Sequence, residues 1–330
     1  MQAKTSTFKF ETEARVASTG YIGIADRQHQ TVTPTLDELV GPGSEYGMDL
    51  LPWDGRTPIP IVSPQDGRVY ALLAGSPANE NWKEVADAAA ELLETKRGKI
   101  SPSKNQRRGW FTAANYGIFH GGGGVKPGNL IHTKTNNSTL KSLCQHWSFK
   151  RLSGFANGIF KAWAPRLWSY YSTNLDKLLK SDSSLKLPFS QSVWSTMTFN
   201  FGPQTVCFPH IDFSNLPFGW CAIWALGDFD PKRGGHLILW DLNLVIEFPP
   251  GSLILIPSGG HEKRYSFTQF TPGALFRWVD NGFQTQHAYH ATRTDEEAQN
   301  DAVRTKNRWA MGLELLSTIS ELNISSTQLM

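Results

Sequence analysis

Pro209-His210-Ile211-Asp212 opens the stretch of sequence that decides the fold, and this stretch continues to Phe270. Alternating side chains at Met197, Phe199 and Phe201 predict a strand just before it, because successive strand residues point to opposite faces. Glycine- and proline-rich turns separate the further candidate strands, which are Val206–Phe208, Trp220–Leu226, His236–Trp240, Leu244–Phe248, Ser252–Pro257, Arg264–Phe270 and Ala274–Val279. Seven or eight short strands at this spacing indicate a jelly roll or barrel.

Helices are predicted on both sides of this strand region. Apolar residues recur with a helical period over 81–97, where Asn81 is the candidate N-cap, and again over 138–179, where Pro165 separates two helices. A late helix is expected at about 295–317. The chain is therefore predicted to be an α+β protein with a jelly-roll core packed against long helices. We divide it into an irregular N-terminal extension with one helix (1–105), a helical support region (106–190), the strand region (191–285) and a helical tail (286–330).

Composition limits the classes of protein to which the chain can belong. A net charge of +3 over 330 residues is too small to argue for nucleic-acid binding by itself. No apolar window is long enough to span a membrane, and the N-terminus lacks the apolar region of a secretory signal. The three cysteines form no C-x-x-C motif, which favours reduced thiols in the core or near a site. We expect an intracellular protein with no membrane partner; nuclear and cytoplasmic locations both remain open.

His210 and Asp212 stand two positions apart, so in an extended segment their side chains project into the same space. An imidazole and a carboxylate are two of the three ligands in the 2-His-1-carboxylate site that holds non-heme Fe(II). A second histidine, His261, and then Arg264 follow after the glycine-punctuated strands. This order of residues predicts a metal site at the start of the strand region.

Taken together, the second half of the chain resembles the Fe(II)/2-oxoglutarate-dependent oxygenases. The matching elements are His210-Ile-Asp212, Gly234-Gly-His-Leu237, Pro250-Gly-Ser252 and Arg264-Tyr-Ser266. The fuller pattern is similar to a fungal branch of that superfamily, with affinities to the TET/JBP enzymes that oxidise the methyl group of thymine or 5-methylcytosine. It adds Asn200-Phe-Gly-Pro203, Gly219-Trp-Cys-Ala-Ile223, Glu247-Phe-Pro-Pro-Gly-Ser252 and Phe276-Arg-Trp-Val279. The resemblance covers residues 190–283 best and does not extend to residues 1–80.

This resemblance implies a double-stranded β-helix core and a dioxygenase that uses 2-oxoglutarate and O₂ to hydroxylate a C–H bond. His210, Asp212 and His261 would be the catalytic metal ligands. Arg264 would bind the distal carboxylate of 2-oxoglutarate in the bidentate manner that suits a guanidinium, and Ser266 would add a hydroxyl. The implied substrate is a methylated nucleobase, with DNA or RNA as the partner; a small molecule or a protein side chain stays open.

The connection between Ser258 and Lys263 is shorter than in these relatives, which leaves two alternatives. Gly259-Gly260 favours a tight hairpin, in which His261 and Arg264 would face opposite sides unless a bulge resets the register. Either His261 binds iron from an irregular turn, or the distal ligand has been lost. In the second case the chain would be a non-catalytic jelly-roll binding module that has no need of iron.

Five aromatic residues lie close in sequence to the H-x-D motif and to the strand after it. They are Phe208, Phe213, Phe218, Trp220 and Trp224. Such rings could stack on a base that is flipped out of a nucleic acid. The alternative is that they pack the strands against the helices. We favour packing for Trp224 and leave both roles open for Phe213 and Phe218.

Overall fold

The computed structural model describes residues 3–25, 34–101, 109–202, 204–208, 210–257 and 266–322. The helices are α1 (Phe10–Glu13), α2 (Leu36–Leu39), α3 (Trp82–Arg97), α4 (Lys134–Gln145), α5 (Trp147–Trp163), α6 (Pro165–Ser181), α7 (Gly273–Asp280), α8 (Gln286–Ala291) and α9 (Asp295–Glu314), with a short 3₁₀ helix at Trp240–Leu242. The strands are β1 (Lys4–Thr5), β2 (Asp49–Leu51), β3 (Ile59–Val62), β4 (Val69–Gly75), β5 (Ala113–Phe119), β6 (Gly128–Asn129), β7 (Thr196–Asn200), β8 (Trp220–Ala225), β9 (Leu237–Leu239), β10 (Leu244–Ile246), β11 (Leu253–Pro257) and β12 (Ser266–Phe270).

Within these ranges the strands form one large and one small mixed sheet. The large sheet has the order β1-β3-β4-β11-β8-β12-β7-β5-β6, and the small sheet has the order β2-β10-β9. The pairs β1–β3 and β2–β10 are parallel, and the other pairs are antiparallel. Because β12 lies between β7 and β8, and β8 lies beside β11, strands that are distant in sequence become neighbours. This topology brings residues around 200 and 266 together.

The large sheet is covered on both faces. On β8, Ala222 and Trp224 belong to the core cluster that includes the buried faces of α3 and α5. Ile223 and Ala225 point the other way, into a second cluster that includes β9 and β10 of the small sheet. Strands that are buried on both faces are apolar at nearly every position, as β8 and β11 are. The molecule is therefore layered, with helices, the large sheet and the small sheet in that order, and the predicted α+β class is confirmed.

The predicted helices are present, but the stretch predicted as two helices over 138–179 belongs to three, because α4 ends at Gln145 and α5 begins at Trp147. The helix predicted over 81–97 is α3, and Pro165 begins α6 one residue after the C-cap of α5, where its missing N–H leaves no hydrogen bond unmade. The late helix is α9, and it begins with a capping box in which Thr294 and Glu297 satisfy each other's backbone N–H. Asn81 is the N-cap residue of α3, as predicted, although its side chain makes no capping hydrogen bond.

Two strand predictions are wrong. Residues 274–279 form most of helix α7 instead of a strand, with Leu275, Phe276 and Val279 buried at helical spacing. A short apolar run fits a buried strand and a buried helix equally well, and here the helical period decides. Val206–Phe208 is not a strand either, since only Cys207 makes a single bridge, to Gly109. The other predicted strands are present, with bounds that differ by one or two residues, and residues 264 and 265 of the strand predicted at Arg264–Phe270 lie outside the described residues.

The N-terminal segment crosses the strand region and packs against the start of α7. A Cβ atom on Gly273 would lie 1.6 Å from the carbonyl oxygen of Tyr21, so only glycine allows this approach. The Gly23 N–H donates to the carbonyl of Phe213 at 2.8 Å, next to the H-x-D motif. The N-terminal strands β3 and β4 also join the large sheet. The four-part division of the chain stays a prediction.

The three cysteines are free and buried, as the sequence predicted. Cys144 Sγ lies 3.8 Å from Met197 Sδ, and burial raises the pKa of the Cys144 thiol to about 12. Cys144 is therefore a neutral core residue at physiological pH. In the described part of the chain, no helix is both long and apolar enough to cross a membrane.

Candidate metal and substrate site

His210 and Asp212 approach each other in the loop between β7 and β8. His210 Nε2 lies 3.8 Å from Asp212 Oδ1, and each side chain is 19% exposed. Residues 210–212 belong to no strand in the structure, but the two side chains share one space, as the spacing of the motif predicts.

A backbone carbonyl sets the orientation of the His210 ring. His210 Nδ1 lies 2.7 Å from the carbonyl oxygen of Phe208. A carbonyl only accepts hydrogen bonds, so we assign a ring proton to Nδ1, which leaves Nε2 as the ring nitrogen that could bind a metal ion. Metal-binding histidines characteristically donate the other ring N–H in this way. The Asn215 N–H donates to the Asp212 carbonyl at 2.9 Å and closes the turn after the motif.

The pair fits two ligands of one metal ion. Nitrogen and oxygen ligands lie about 2.0–2.2 Å from an ion such as zinc, so two of them are at most about 4.4 Å apart. The separation of 3.8 Å between His210 Nε2 and Asp212 Oδ1 meets this limit. No group of three metal-binding side chains occurs within the described ranges. The predicted third ligand His261 and the predicted anion-binding Arg264 lie outside the described residues.

Ser266, the remaining predicted site residue, is buried at the start of β12. It lies opposite Ala225 of β8, so its side chain is on the face of the large sheet that looks toward the small sheet. Asn200 Nδ2 donates to Ser266 Oγ at 2.6 Å, and Thr268 Oγ1 lies 3.5 Å from the same oxygen. Because Ser266 Oγ accepts from these neighbours, its own proton is left for an acceptor such as a carboxylate.

A cavity of about 480 Å³ adjoins the H-x-D motif, and Asp212 forms part of its wall. The N-terminal segment, the 3₁₀ helix and α9 supply the other walls. Its lining residues are Phe8, Phe10, Glu13, Ala14, Arg15, Val16, Gly23, Ile211, Asp212, Phe213, Asn215, Pro217, Asp241 and Trp309. This volume includes space that is open to solvent.

Asp241 gives this cavity a second carboxyl group. Asp241 is solvent-exposed, yet desolvation by the protein atoms around its carboxyl group raises its pKa; the positive charge of Arg15 opposes the shift and the negative charge of Glu13 adds to it. A carboxyl group accepts hydrogen bonds, and it can also donate one when it is protonated. The cavity thus combines aromatic walls with polar groups from the N-terminal segment and the 3₁₀ helix.

The aromatic residues near the motif divide into core and surface. Phe218, Trp220 and Trp224 are buried; Trp224, for example, packs against Trp82 with ring centroids 5.5 Å apart. Packing is therefore confirmed for Trp224, and it is also the role of Phe218. Phe213 is 45% exposed and lines the cavity.

A further exposed aromatic residue lies beside the motif. Trp110 is 91% exposed, and its ring contacts the edge of Phe208, two residues before His210. Together with Phe213 these rings flank the H-x-D motif, and we call Trp110, Phe208 and Phe213 the aromatic rim. Exposed aromatic rings are platforms on which a planar group can stack.

Sequence reasoning missed Asn200 and Asp241 as site residues. Asn200 was recognised only as part of a motif, although its position at the end of a strand facing β12 was a usable signal once β7 and β12 were paired. Asp241 lies in the 3₁₀ helix Trp240–Leu242, where its sequence context is that of an ordinary turn residue. Asp241 lines the same cavity as Asp212 because the small sheet packs near the loop between β7 and β8, and no local pattern in the sequence reveals this packing.

No protein-family model matches this chain, and no curated protein matches it in sequence. Among solved structures, NgTET1 in complex with 5mC DNA matches with a TM-score of 0.47 and 14% identity. The match covers 68% of this chain and 83% of that one. A likeness at this level is too low to assign a fold family or an activity.

Proposed function

We propose that this protein is an Fe(II)- and 2-oxoglutarate-dependent oxygenase that hydroxylates a C–H bond. The observation that carries the proposal is the convergence of His210 Nε2 and Asp212 Oδ1 at 3.8 Å, with the ring oriented by a carbonyl. The same two residues form the H-x-D motif, which is one of the elements that carry the resemblance in sequence. Measuring the conversion of 2-oxoglutarate to succinate by the purified protein with added Fe(II) tests the proposal.

The strand order supports a double-stranded β-helix core. The chain passes from β8 in the large sheet to β9 and β10 in the small sheet, and then returns to β11 in the large sheet. After β11 and residues 258–265, β12 inserts between β7 and β8. Winding between two facing sheets in this manner is typical of jelly rolls. In such a core the H-x-D loop follows the first strand, β7, at one end of the sandwich.

Iron would be held by His210 and Asp212, with His261 as the proposed third ligand. When bound together with 2-oxoglutarate, iron supplies the oxidising chemistry that activates O₂. The protein's own contribution is orientation. The Phe208 carbonyl fixes the His210 ring, and the turn closed by Asn215 fixes the Asp212 backbone. The partial burial of both side chains limits the access of water to the site.

The 2-oxoglutarate carboxylate would be bound by Arg264 and by Ser266. Asn200 donates to Ser266 Oγ and thereby directs the hydroxyl proton toward a bound carboxylate. A guanidinium and a hydroxyl two residues apart on one strand lie on the same face. Asn200 is thus a positioning residue in the proposed site.

Replacing Ser266 with alanine should raise the KM for 2-oxoglutarate by about ten- to hundredfold. A hydrogen bond to a charged group contributes about 1.5–3 kcal/mol, and this one would be lost while the packing of β12 is kept. Initial rates at varied 2-oxoglutarate and saturating Fe(II) measure the effect. Ser181→Ala, in which a hydroxyl that donates within α6 is removed instead, is the matched control and should leave KM unchanged. Equal KM values for wild type and Ser266→Ala would contradict this role.

As substrate we propose a methylated nucleobase in DNA or RNA. The support is the cavity of about 480 Å³ with Asp212 in its wall, and the aromatic rim beside the motif. A base taken out of a stack loses its neighbouring rings, and exposed aromatic side chains replace them. Asp241 would meet the polar edge of the base, since it is a hydrogen-bonding group in the same cavity.

Phe213→Ala should then raise the KM for a methylated oligonucleotide by about five- to hundredfold. Stacking of a base on an aromatic ring contributes about 1–3 kcal/mol, and the substitution removes the rim residue that lines the cavity. Phe283→Ala is the control, because Phe283 is also exposed but does not line this cavity. Loss of 2-oxoglutarate turnover without substrate would indicate misfolding, so the uncoupled rate is measured in parallel. A KM that does not move would argue against nucleobase stacking at this rim.

A further inference from the structure

A second polar cavity, of about 430 Å³, lies between the N-terminal segment and the helices after β12. We call it the arginine pocket, because three arginine side chains line it: Arg277 from α7, and Arg304 and Arg308 from α9. The other lining residues are Thr19, Tyr21, Asp280, Asn281, Gln286, Tyr289, His290, Asp301 and Thr305. The pocket contains none of the residues of the proposed metal site.

The acidic groups of the arginine pocket already have partners. Asp280 accepts a hydrogen bond from the Tyr21 hydroxyl. Asp301 accepts from Arg304, and Arg293 Nε lies 3.9 Å from its other oxygen. Burial acts to raise the pKa of Asp301, but hydrogen bonds from Tyr289 and Arg304 outweigh it and lower the pKa. Asp301 is thus a carboxylate shared by two guanidinium groups, and Arg277 and Arg308 keep a surplus of positive charge.

Arg277 has hydrogen-bonding capacity that its surroundings do not use. In the described ranges, no hydrogen bond or ion pair to its guanidinium occurs, although the side chain is half-buried. The pKa of His120 is lowered mainly by burial, and the positive charge of Arg277 lowers it further. A half-buried guanidinium with five N–H donors is costly to leave without acceptors.

Thr19 and Arg308 add oriented groups on the opposite wall. The Thr19 hydroxyl oxygen is buried and has no partner among the described residues. Arg308 donates from Nη1 to the Thr19 carbonyl at 2.6 Å and lies over the Tyr21 ring at 4.0 Å, so its guanidinium is fixed in place. The pocket therefore presents a fixed guanidinium, an unpartnered guanidinium and an unpartnered hydroxyl.

We propose that the arginine pocket binds a phosphate group, held by Arg277 and Arg308 with a hydrogen bond from Thr19. Tetrahedral oxyanions accept several hydrogen bonds at once, and guanidinium groups suit them in charge and geometry. The pocket is open to solvent, so a phosphate can enter it while the rest of the molecule that carries it stays outside. Binding here needs neither iron nor 2-oxoglutarate, so this site stands or fails independently of the proposed oxygenase activity.

The arginine pocket and the cavity at Asp212 are neighbours across one wall. On α9, Arg308 lines the arginine pocket and the next residue, Trp309, lines the cavity at Asp212. In the N-terminal segment, Tyr21 lines the arginine pocket and Gly23 lines the cavity at Asp212. A phosphate-bearing ligand that occupies the arginine pocket would contact the same two elements that wall the cavity at Asp212.

Calorimetric titration of inorganic phosphate into metal-free protein at low ionic strength tests the proposal. The expected result is saturable binding of one phosphate, weakened about tenfold or more in Arg277→Gln, which loses its charged hydrogen bonds. Thr19→Val removes a hydroxyl without changing the charge, and it should also weaken binding. Arg233→Gln is the matched control, because Arg233 is exposed and does not line the pocket.

Three results would overturn the proposal. The first is the absence of saturable binding by wild type, and the second is unchanged affinity in both Arg277→Gln and Thr19→Val. The third is an equal loss of affinity in Arg277→Gln and Arg233→Gln, which would show a general effect of net charge. Titrations with a nucleoside monophosphate and with a short single-stranded oligonucleotide distinguish the sources of the phosphate. The pocket fits the ligand whose affinity differs most between wild type and Arg277→Gln.

Discussion

His210→Gln is expected to lower the rate of 2-oxoglutarate conversion by about a hundredfold or more. The substitution keeps a polar side chain of similar reach but removes the imidazole Nε2 that faces Asp212 at 3.8 Å. Loss of even an outer partner of a metal ligand typically costs about 10–100-fold, and loss of the ligand itself should cost at least as much. Succinate formed per enzyme at saturating Fe(II) and 2-oxoglutarate is the quantity to measure.

His287→Gln is the matched control for this experiment. His287 is an exposed residue of α8, and replacing it with glutamine makes the same chemical change at a position away from the site. Its turnover should equal that of wild type. A His210→Gln protein that folds and keeps wild-type turnover would remove His210 from the metal site, whatever the effect of other substitutions.

The second large expected effect is a loss of stability on substitution in the apolar layer between the helices and the large sheet. Trp224→Ala is expected to lower the free energy of unfolding by about 3–5 kcal/mol, the range for large aromatic residues in cores. Trp224 is fully buried, with its ring centroid 5.5 Å from that of Trp82 in α3 and 5.9 Å from that of Phe155 in α5. Chemical denaturation followed by far-ultraviolet circular dichroism measures the change.

Trp110→Ala provides the comparison, since Trp110 is the same residue type at the surface. Its substitution should change the free energy of unfolding by less than about 0.5 kcal/mol, as is usual for surface positions. Similar losses of stability in the two variants would mean that Trp224 does not lie in a packed layer. The contrast therefore tests the order of helices and sheet without reference to any activity.

Local patterns in the sequence were sufficient for most of the strands and helices. Strands β8 and β11 were predicted within one or two residues because turns with glycine or proline bound them on both sides. The stretch at 274–279 was predicted wrongly, because five apolar or aromatic residues interrupted by Arg277 do not distinguish a strand from a short helix. Tertiary contacts decide there, with the face of α7 buried against α6.

The site was predicted only in part, for a different reason. His210 and Asp212 are two positions apart, so their proximity follows from the local geometry of an extended chain. The hydrogen bond from Asn200 to Ser266 joins residues that are far apart in sequence, and it depends on β12 pairing with β7. The wall of the cavity formed by residues 8–23 depends on a segment with little regular structure. Such long-range contacts carry no periodic signal in the sequence.

The layered fold gives the proposed site a rigid frame on one side and a separate segment on the other. Ser266 and Asn200 lie in the central part of the large sheet, whose two faces are buried. The cavity beside Asp212 is closed by the N-terminal segment, which the Gly23–Phe213 hydrogen bond attaches to the H-x-D loop. Variants in residues 8–16 should therefore act on substrate binding, whereas variants in β7 and β12 should act on 2-oxoglutarate.

The most direct test of the central claim is the visible absorbance of anaerobic protein mixed with Fe(II) and 2-oxoglutarate. A charge-transfer band in wild type that is absent in His210→Gln is the predicted result, and loss of the band in His261→Ala would identify His261 as the third ligand. No band in wild type, or an equal band in His210→Gln, would contradict the account and favour an iron-independent binding module.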